Sequence, residues 1–343
     1  MKRCHHSASN MDPTSDDSLT ARSSVGAPRA HELDVIVAWL ACRSKLFSGG
    51  WGDESLLADL SRRFSFADSP SAISVRWVSA GQRGGISLRD GTFASPLMIL
   101  PKKTSTGHVR AYSNPANAAA CVILAGSRDE GYTTRERVFG PLVPRGLDLY
   151  LLENPFYGLR RSAGGPSLAT FCDQALMTLA MVWEARALLE LLRDRYAKLA
   201  IAGYSMGGHM AAITAAVSPF PLACAALATG ASAAPIYTSG LLSWSVDLDA
   251  LAGPQQPRAA ARLRLNCLIE AADITRFAPP LRTDAAVIVG CTRDGYVLGA
   301  EIERLHQYWP GSTLRWVRAG HISALFTRRR SLCDAIADSV AKL

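Results

Sequence analysis

From about residue 117 onward, short apolar runs alternate with longer segments whose apolar residues recur at helical spacing. The runs at 118–124, 147–152, 199–202, 222–227, 285–289 and 314–317 are mostly apolar. Strands covered by helices on both faces read this way, because neither face meets water. Segments 170–195, 207–217, 299–307 and 331–341 read as helices. The alternation predicts an α/β fold built on a mostly parallel sheet. Upstream, residues 74–112 contain alternating stretches such as SVRWVSA and GHVRAY. These predict antiparallel edge strands ahead of the parallel part.

One interval breaks the alternation. Residues 231–282, rich in Ala, Pro and Arg, separate two strand candidates. An insertion there would overhang the carboxyl ends of the strands, where α/β sheets bind ligands. It is read as a small helical cap within one domain spanning 31–343. Residues 1–30 are polar and aperiodic, and are read as a disordered tail.

Charge sharpens this picture. No Asp, Glu, Lys or Arg stands between Lys198 and Asp247. A membrane span needs about 20 unbroken apolar residues. Here the turn at 203–208 and Pro219, Pro221 and Pro235 divide the window into pieces of a buried sheet. The first 30 residues lack the apolar centre of a secretory leader, so an intracellular location is expected. Across 343 residues, 37 Lys+Arg against 29 Asp+Glu give a formal charge of +8. The chain is also 48% hydrophobic, which excludes a disordered or fibrous protein. The basic residues are scattered in small groups without a stripe, so no nucleic-acid partner is expected. Peripheral contact with an anionic membrane fits the charge better. The 8 cysteines form no CxxC pair and read as reduced, packed thiols. Cys4, His5 and His6 have no second ligand cluster, so no metal is expected, and no organic cofactor is required.

Residues 199–208, LAIAGYSMGG, put G-x-S-x-G directly after an apolar strand and before a helix. This is the arrangement of a nucleophile elbow, which exposes a serine hydroxyl at a sharp turn. Ser205 is the candidate nucleophile. A serine hydroxyl needs a base, and in such folds the order is Ser, acid, His. His209 is carried away on the elbow helix, and His306 lies within the helical pattern EIERLHQYW. His321 follows the strand at 314–317 in a loop at its carboxyl end, where a general base belongs. Asp294 follows the strand at 285–289 and precedes His321 by 27 residues, enough for one helix and one strand. It is the candidate acid, to fix the tautomer of His321. The backbone N–H groups of Met206 and Ser127 are the expected oxyanion donors. Gly126, Asn154, Tyr157 and Tyr204 are expected around the substrate pocket.

These residues resemble the eukaryotic α/β-hydrolase domain-containing protein 18 family. The resemblance rests on Leu124-Ala125-Gly126, LLENPFYGLRR at 151–161, GYSMGGHMA at 203–211, RDGYV at 293–297 and YWPGSTLRWVRAGHISALF at 308–326. LFSGGWGDE at 46–54 is similar as well, so the likeness runs over about 46–340. It implies an α/β-hydrolase fold, the same Ser205, Asp294 and His321, and a lipid acyl ester as substrate, of the cardiolipin kind. The chain departs from that pattern at Ile123, where a histidine is expected, and at Leu298, where a proline is expected. The expected activity is therefore a serine esterase acting through an acyl-enzyme. Two rivals share the fold: a non-catalytic lipid- or partner-binding module, and an acyltransferase using the same serine. Arg128, Arg160 and Arg161 are expected to lie near the site and to favour anionic lipids.

Overall fold

Among the described residues, 29–161 and 168–343 of a computed structural model, nine strands form one sheet. They are β1 (Arg76–Arg83), β2 (Ile86–Ala94), β3 (Thr106–Ser113), β4 (Ala119–Leu124), β5 (Leu147–Leu152), β6 (Lys198–Tyr204), β7 (Ala223–Leu227), β8 (Ala286–Cys291) and β9 (Thr313–Val317). Their order is β1-β2-β3-β5-β4-β6-β7-β8-β9. The first three strands and the β3–β5 junction pair antiparallel. All pairs from β5 to β9 are parallel. The expected α/β architecture, edge strands included, is the one observed.

The helices are α1 (Glu32–Ala41), α2 (Glu54–Arg63), α3 (Thr133–Phe139), α4 (Phe171–Leu192), α5 (Met206–Ala216), α6 (Ala234–Thr238), α7 (Leu248–Ala252), α8 (Arg258–Ile269), α9 (Gly299–Tyr308), α10 (His321–Thr327) and α11 (Arg329–Ala341). Helix α4 begins at a reciprocal cap. Thr170 Oγ1 accepts from Asp173 N–H at 3.2 Å, and Asp173 Oδ2 accepts from Thr170 N–H at 2.9 Å. Nearly all of α4 is buried, because it packs on the sheet, on α2 and on α5. Two covered faces explain why it shows little amphipathic contrast. None of the described helices is long and apolar enough to cross a membrane.

Between β7 and β8 the chain forms α6, α7, α8 and short 3₁₀ turns, the helical insertion expected at 231–282. Apart from residues 29 and 30, the expected tail lies outside the described residues, as do Cys4, His5 and His6. Helix α1 was not among the sequence-based elements. Its outer face, Val35, Ile36, Trp39 and Leu40, is as apolar as its inner one, so no periodic contrast marks it. His321 also differs from expectation: it opens α10 instead of standing in a loop.

Candidate active site

The apolar strand β6 ends at Tyr204, the turn is Ser205, and α5 starts at Met206. The glycines around the turn are required for space. A Cβ on Gly203 would lie 2.3 Å from the carbonyl carbon of Gly207. One on Gly207 would lie 2.4 Å from Leu124 O, and one on Gly208 2.8 Å from Leu227 O. The left-handed backbone falls on the serine itself, at φ 57°. Such a conformation costs on the order of 1–3 kcal/mol in a non-glycine residue. It is held by Ser205 N–H donating to Leu227 O at 2.8 Å, and by His209 N–H donating to Ser205 O at 3.0 Å.

His321 and Asp294 meet behind the turn. The imidazole Nδ1 lies 2.7 Å from Asp294 Oδ2, with both side chains buried. The other carboxylate oxygen of Asp294 accepts the N–H groups of Tyr296 and Val297, each at 2.8 Å. This fully used carboxylate fixes the rotamer that faces His321. Tyr204 and Tyr296 flank the imidazole, with ring centroids 5.2 and 5.0 Å away. The Tyr204 hydroxyl donates to His321 O.

Burial alone would lower the basicity of His321. The Asp294 charge and hydrogen bond, with a smaller contribution from Asp34, outweigh burial and raise it. The Tyr204 hydroxyl is pushed up by burial, so it stays a neutral donor.

Ser205 and Ser127 stand where two cavities meet. One cavity is lined largely by apolar side chains, among them Leu57, Leu60, Phe64, Met210, Leu268 and Ile269, and holds about 850 Å³ of space including its mouth. The other, about 1000 Å³, is lined by Gly126, Arg128, Tyr204, Tyr296, His321 and the inner face of α1. Ser205 and His321 therefore open on the same space. Met206 N–H is the first of its helix and has no intrahelical acceptor. Ser127 follows Gly126, where a Cβ would come 3.1 Å from Tyr204 O.

Two of the four expected pocket residues are placed differently. Gly126 and Tyr204 line the second cavity, whereas Asn154 and Tyr157 line neither. Both are fully buried behind the loop after β4. Asn154 Nδ2 donates to Ala125 O at 3.3 Å, and the Tyr157 hydroxyl lies against Ser127 and Arg128. They brace the loop and do not form the pocket wall.

The same segment explains LLENPFYGLRR. Glu153 Oε1 accepts Gly131 N–H at 2.9 Å, and its Oε2 lies 3.3 Å from Arg135. Gly158, at φ 43°, leaves room for that carboxylate; a Cβ would sit 2.0 Å from Glu153 Oε1. Arg160 is 1% exposed and makes a bidentate pair with Glu184, both contacts at 2.7 Å. It is a core brace and cannot meet a substrate, contrary to expectation. Arg161 pairs with Glu130 at the surface. Ile123 is buried in the core and lines neither cavity. His209, on the elbow helix, is buried between the carbonyls of Gly230 and Ala272.

Sequence reasoning missed Asp34. It is a fully buried carboxylate on α1 that reaches the backbone of both Gly295 and His321. The available signal was one acidic residue between apolar neighbours in ELDVIVAWLA. Among the described residues, no three His, Cys, Asp or Glu side chains are grouped to hold a metal ion.

A sequence model of the family described as alpha/beta hydrolase domain containing 18 matches residues 44–258 and 253–342. The chain belongs to that family. Within the alpha/beta hydrolase domain containing 18 family match, the two stretches meet inside the helical insertion. The fold is also that of an acetyl xylan esterase from Paenibacillus sp. R4, with TM-score 0.52 and 13% identity over 85% of this chain and 98% of that one. Acetyl xylan esterase 1 from Thermoanaerobacterium sp. JW/SL YS485 is similar, with TM-score 0.51 and 11% identity over 86% of this chain and 98% of the other. At these identities the likeness is one of fold. Membership of an alpha/beta-hydrolase family supports hydrolytic chemistry.

Proposed function

We propose that this protein is a serine hydrolase cleaving an acyl ester of a lipid, with a phospholipid of the cardiolipin kind as the favoured class. One observation carries the reading: the buried Asp294–His321 pair opens on the cavity that also contains the strained Ser205. Ser205 Oγ attacks the acyl carbonyl while His321 takes its proton, and Asp294 stabilises the imidazolium so formed. The N–H groups of Met206 and Ser127 receive the developing oxyanion. The leaving alcohol departs with the proton from His321, and water then hydrolyses the acyl-enzyme by the reverse proton route.

This proton path assigns the cavities. The imidazolium must hand its proton to the leaving alcohol, so the alcohol occupies the space lined by His321. The acyl chain then takes the apolar cavity on the other side of Ser205. Arg128 lies on the alcohol side and suits a phosphate-bearing head group.

The outer face of α1 is the proposed contact with an anionic bilayer. Val35, Ile36, Trp39 and Leu40 are 37–54% exposed, and the Arg43 guanidinium lies 4.8 Å above the Trp39 ring. The inner face of the same helix, at Val37, Ala38 and Ala41, lines the alcohol-side cavity. Apolar side chains beside a cation fit an interfacial helix.

The test is fatty-acid release from anionic phospholipid vesicles and from a soluble short-chain ester, by wild type and by Ser205→Ala. The proposal expects release from both substrates and none from the variant. Turnover confined to the soluble ester would overturn the lipid reading. In the same vesicles, Trp39→Glu is expected to lower co-sedimentation while soluble-ester turnover is kept. Unchanged co-sedimentation removes α1 as the contact.

A further inference from the structure

The acid turn and the base turn are separate loops at the ends of β8 and β9, and a single carboxylate from a third element joins them. Asp34 Oδ2 accepts the N–H of Gly295 at 3.0 Å and the N–H of His321 at 2.8 Å. Its Oδ1 accepts the N–H of Ile322 at 2.9 Å. Gly295 is the residue after Asp294, so the two backbones that carry the Asp294–His321 pair share one anion. Asp34 is fully buried, so these bonds have no competition from water.

The anchorage of α1 is also built in. His31 N–H donates to Arg293 O at 3.0 Å, the Tyr296 hydroxyl donates to Asp34 O at 3.2 Å, and Arg293 pairs with Glu32 at 2.7 Å. Gly320 allows the approach: a Cβ there would lie 2.3 Å from His31 Cβ and 2.9 Å from Asp34 Oδ1. A residue needed only to cap α10 would not also bind the acid turn.

Resting on the assignment of Asp294 and His321 above, we propose that Asp34 is a positioning residue, which sets the register of the acid and base turns and steadies the imidazolium formed during turnover. It touches backbone only, so its action passes through His321. The groups facing that imidazole are Asp294 and Tyr296 from the turn after β8, Tyr204 from β6 and Asp34 from α1, with Cys291 behind Tyr204 and Arg128 on the cavity wall. Asp294 and Asp34 are the anions among them. Both raise the basicity of His321, Asp34 by charge alone.

The experiment compares the full chain with Asp34→Asn, Asp34→Glu and Gly320→Ala. Two readouts are used: the His321 imidazole NMR titration, and the rate of Ser205 labelling by a fluorophosphonate against pH. Asp34→Asn keeps the size and removes the charge. The His321 titration is expected to move to lower pH, and the plateau labelling rate to fall about tenfold to a hundredfold, as small misplacements of reacting groups do. Asp34→Glu keeps the charge but displaces the oxygens, so the titration should stay near wild type while labelling slows. Gly320→Ala pushes the Asp34 carboxylate aside with its charge kept and should resemble Asp34→Glu, slowing labelling while the titration stays near wild type, which keeps the positioning role testable where Asp34→Asn fails to fold.

A variant that melts earlier yet keeps the wild-type titration and labelling rate makes Asp34 a helix cap only, and overturns the proposal. The titration is read without turnover. If wild-type Ser205 does not label, the catalytic assignment fails by itself, while the titration still decides whether Asp34 acts on His321.

Discussion

Replacing Arg160 with methionine keeps the aliphatic bulk of a core side chain and removes its charge. In the native protein this guanidinium makes five hydrogen bonds and is 1% exposed. Two of them, at 2.7 Å, go to Glu184, and the others go to Thr104 O and Glu153 O. Arg160→Met therefore leaves a buried carboxylate without its partner, a change that costs about 3–5 kcal/mol. In a chain of this size each kcal/mol moves the melting temperature by roughly 2–3 °C, so a fall of about 6–15 °C is expected. Urea unfolding followed by tryptophan fluorescence measures the free energy directly. Adding Glu184→Leu removes the orphaned charge and should recover most of the loss. The carbonyls of Thr104 and Glu153 stay unpaired in the double variant, so about 1–3 kcal/mol remains missing. A cost for Arg160→Met below about 1 kcal/mol would refute the reasoning. A folded, stable Arg160→Met with turnover lost only on anionic lipids would return the arginine to substrate binding.

Asp294→Asn preserves shape but favours the wrong imidazole tautomer, and hydrolysis should fall by about 10⁴; a loss under tenfold contradicts the assignment. Because His321 is held above the ordinary value of 6.5, its neutral form needs a higher pH. The acid limb of the rate profile should accordingly lie above 6.5, measured as soluble-ester turnover across pH 5–9. The sign for stability runs the other way. A raised folded pKa stabilises the protonated state, so the contribution is complete below 6.5 and is lost as pH rises through the folded value. The urea-midpoint gap between wild type and His321→Gln should shrink over that range. Gly207→Ala drives a Cβ to 2.4 Å from Leu124 O, a backbone atom that cannot swing away. It should destabilise by about 1–3 kcal/mol, and labelling of Ser205 should slow.

Local features made Ser205 legible: an apolar strand, a G-x-S-x-G turn and a small-residue helix lie side by side in the chain. Asp294 and His321 followed from the ends of two strands, positions that the alternation of elements already marks. Burial and partnership across the fold were not legible. Arg160 read as a charge beside the site because its partner Glu184 lies 24 residues away on another element. Asn154 and Tyr157 were correctly set after a strand, but the side of the loop they occupy depends on packing against Ala125 and Ser127. Asp34 was hidden most completely, since its partners lie 261 to 288 residues downstream. The G-x-S-x-G pattern marked a sharp turn; the structure needs its glycines for close approach and puts the positive φ on the serine.

The central claim is that Ser205, activated by His321, is the nucleophile. Intact-mass and peptide analysis after fluorophosphonate treatment of the folded chain tests it. The account predicts a single phosphonyl adduct on Ser205, lost on unfolding and strongly reduced in His321→Gln. A folded protein without that adduct, or one whose ester turnover survives Ser205→Ala, would contradict it.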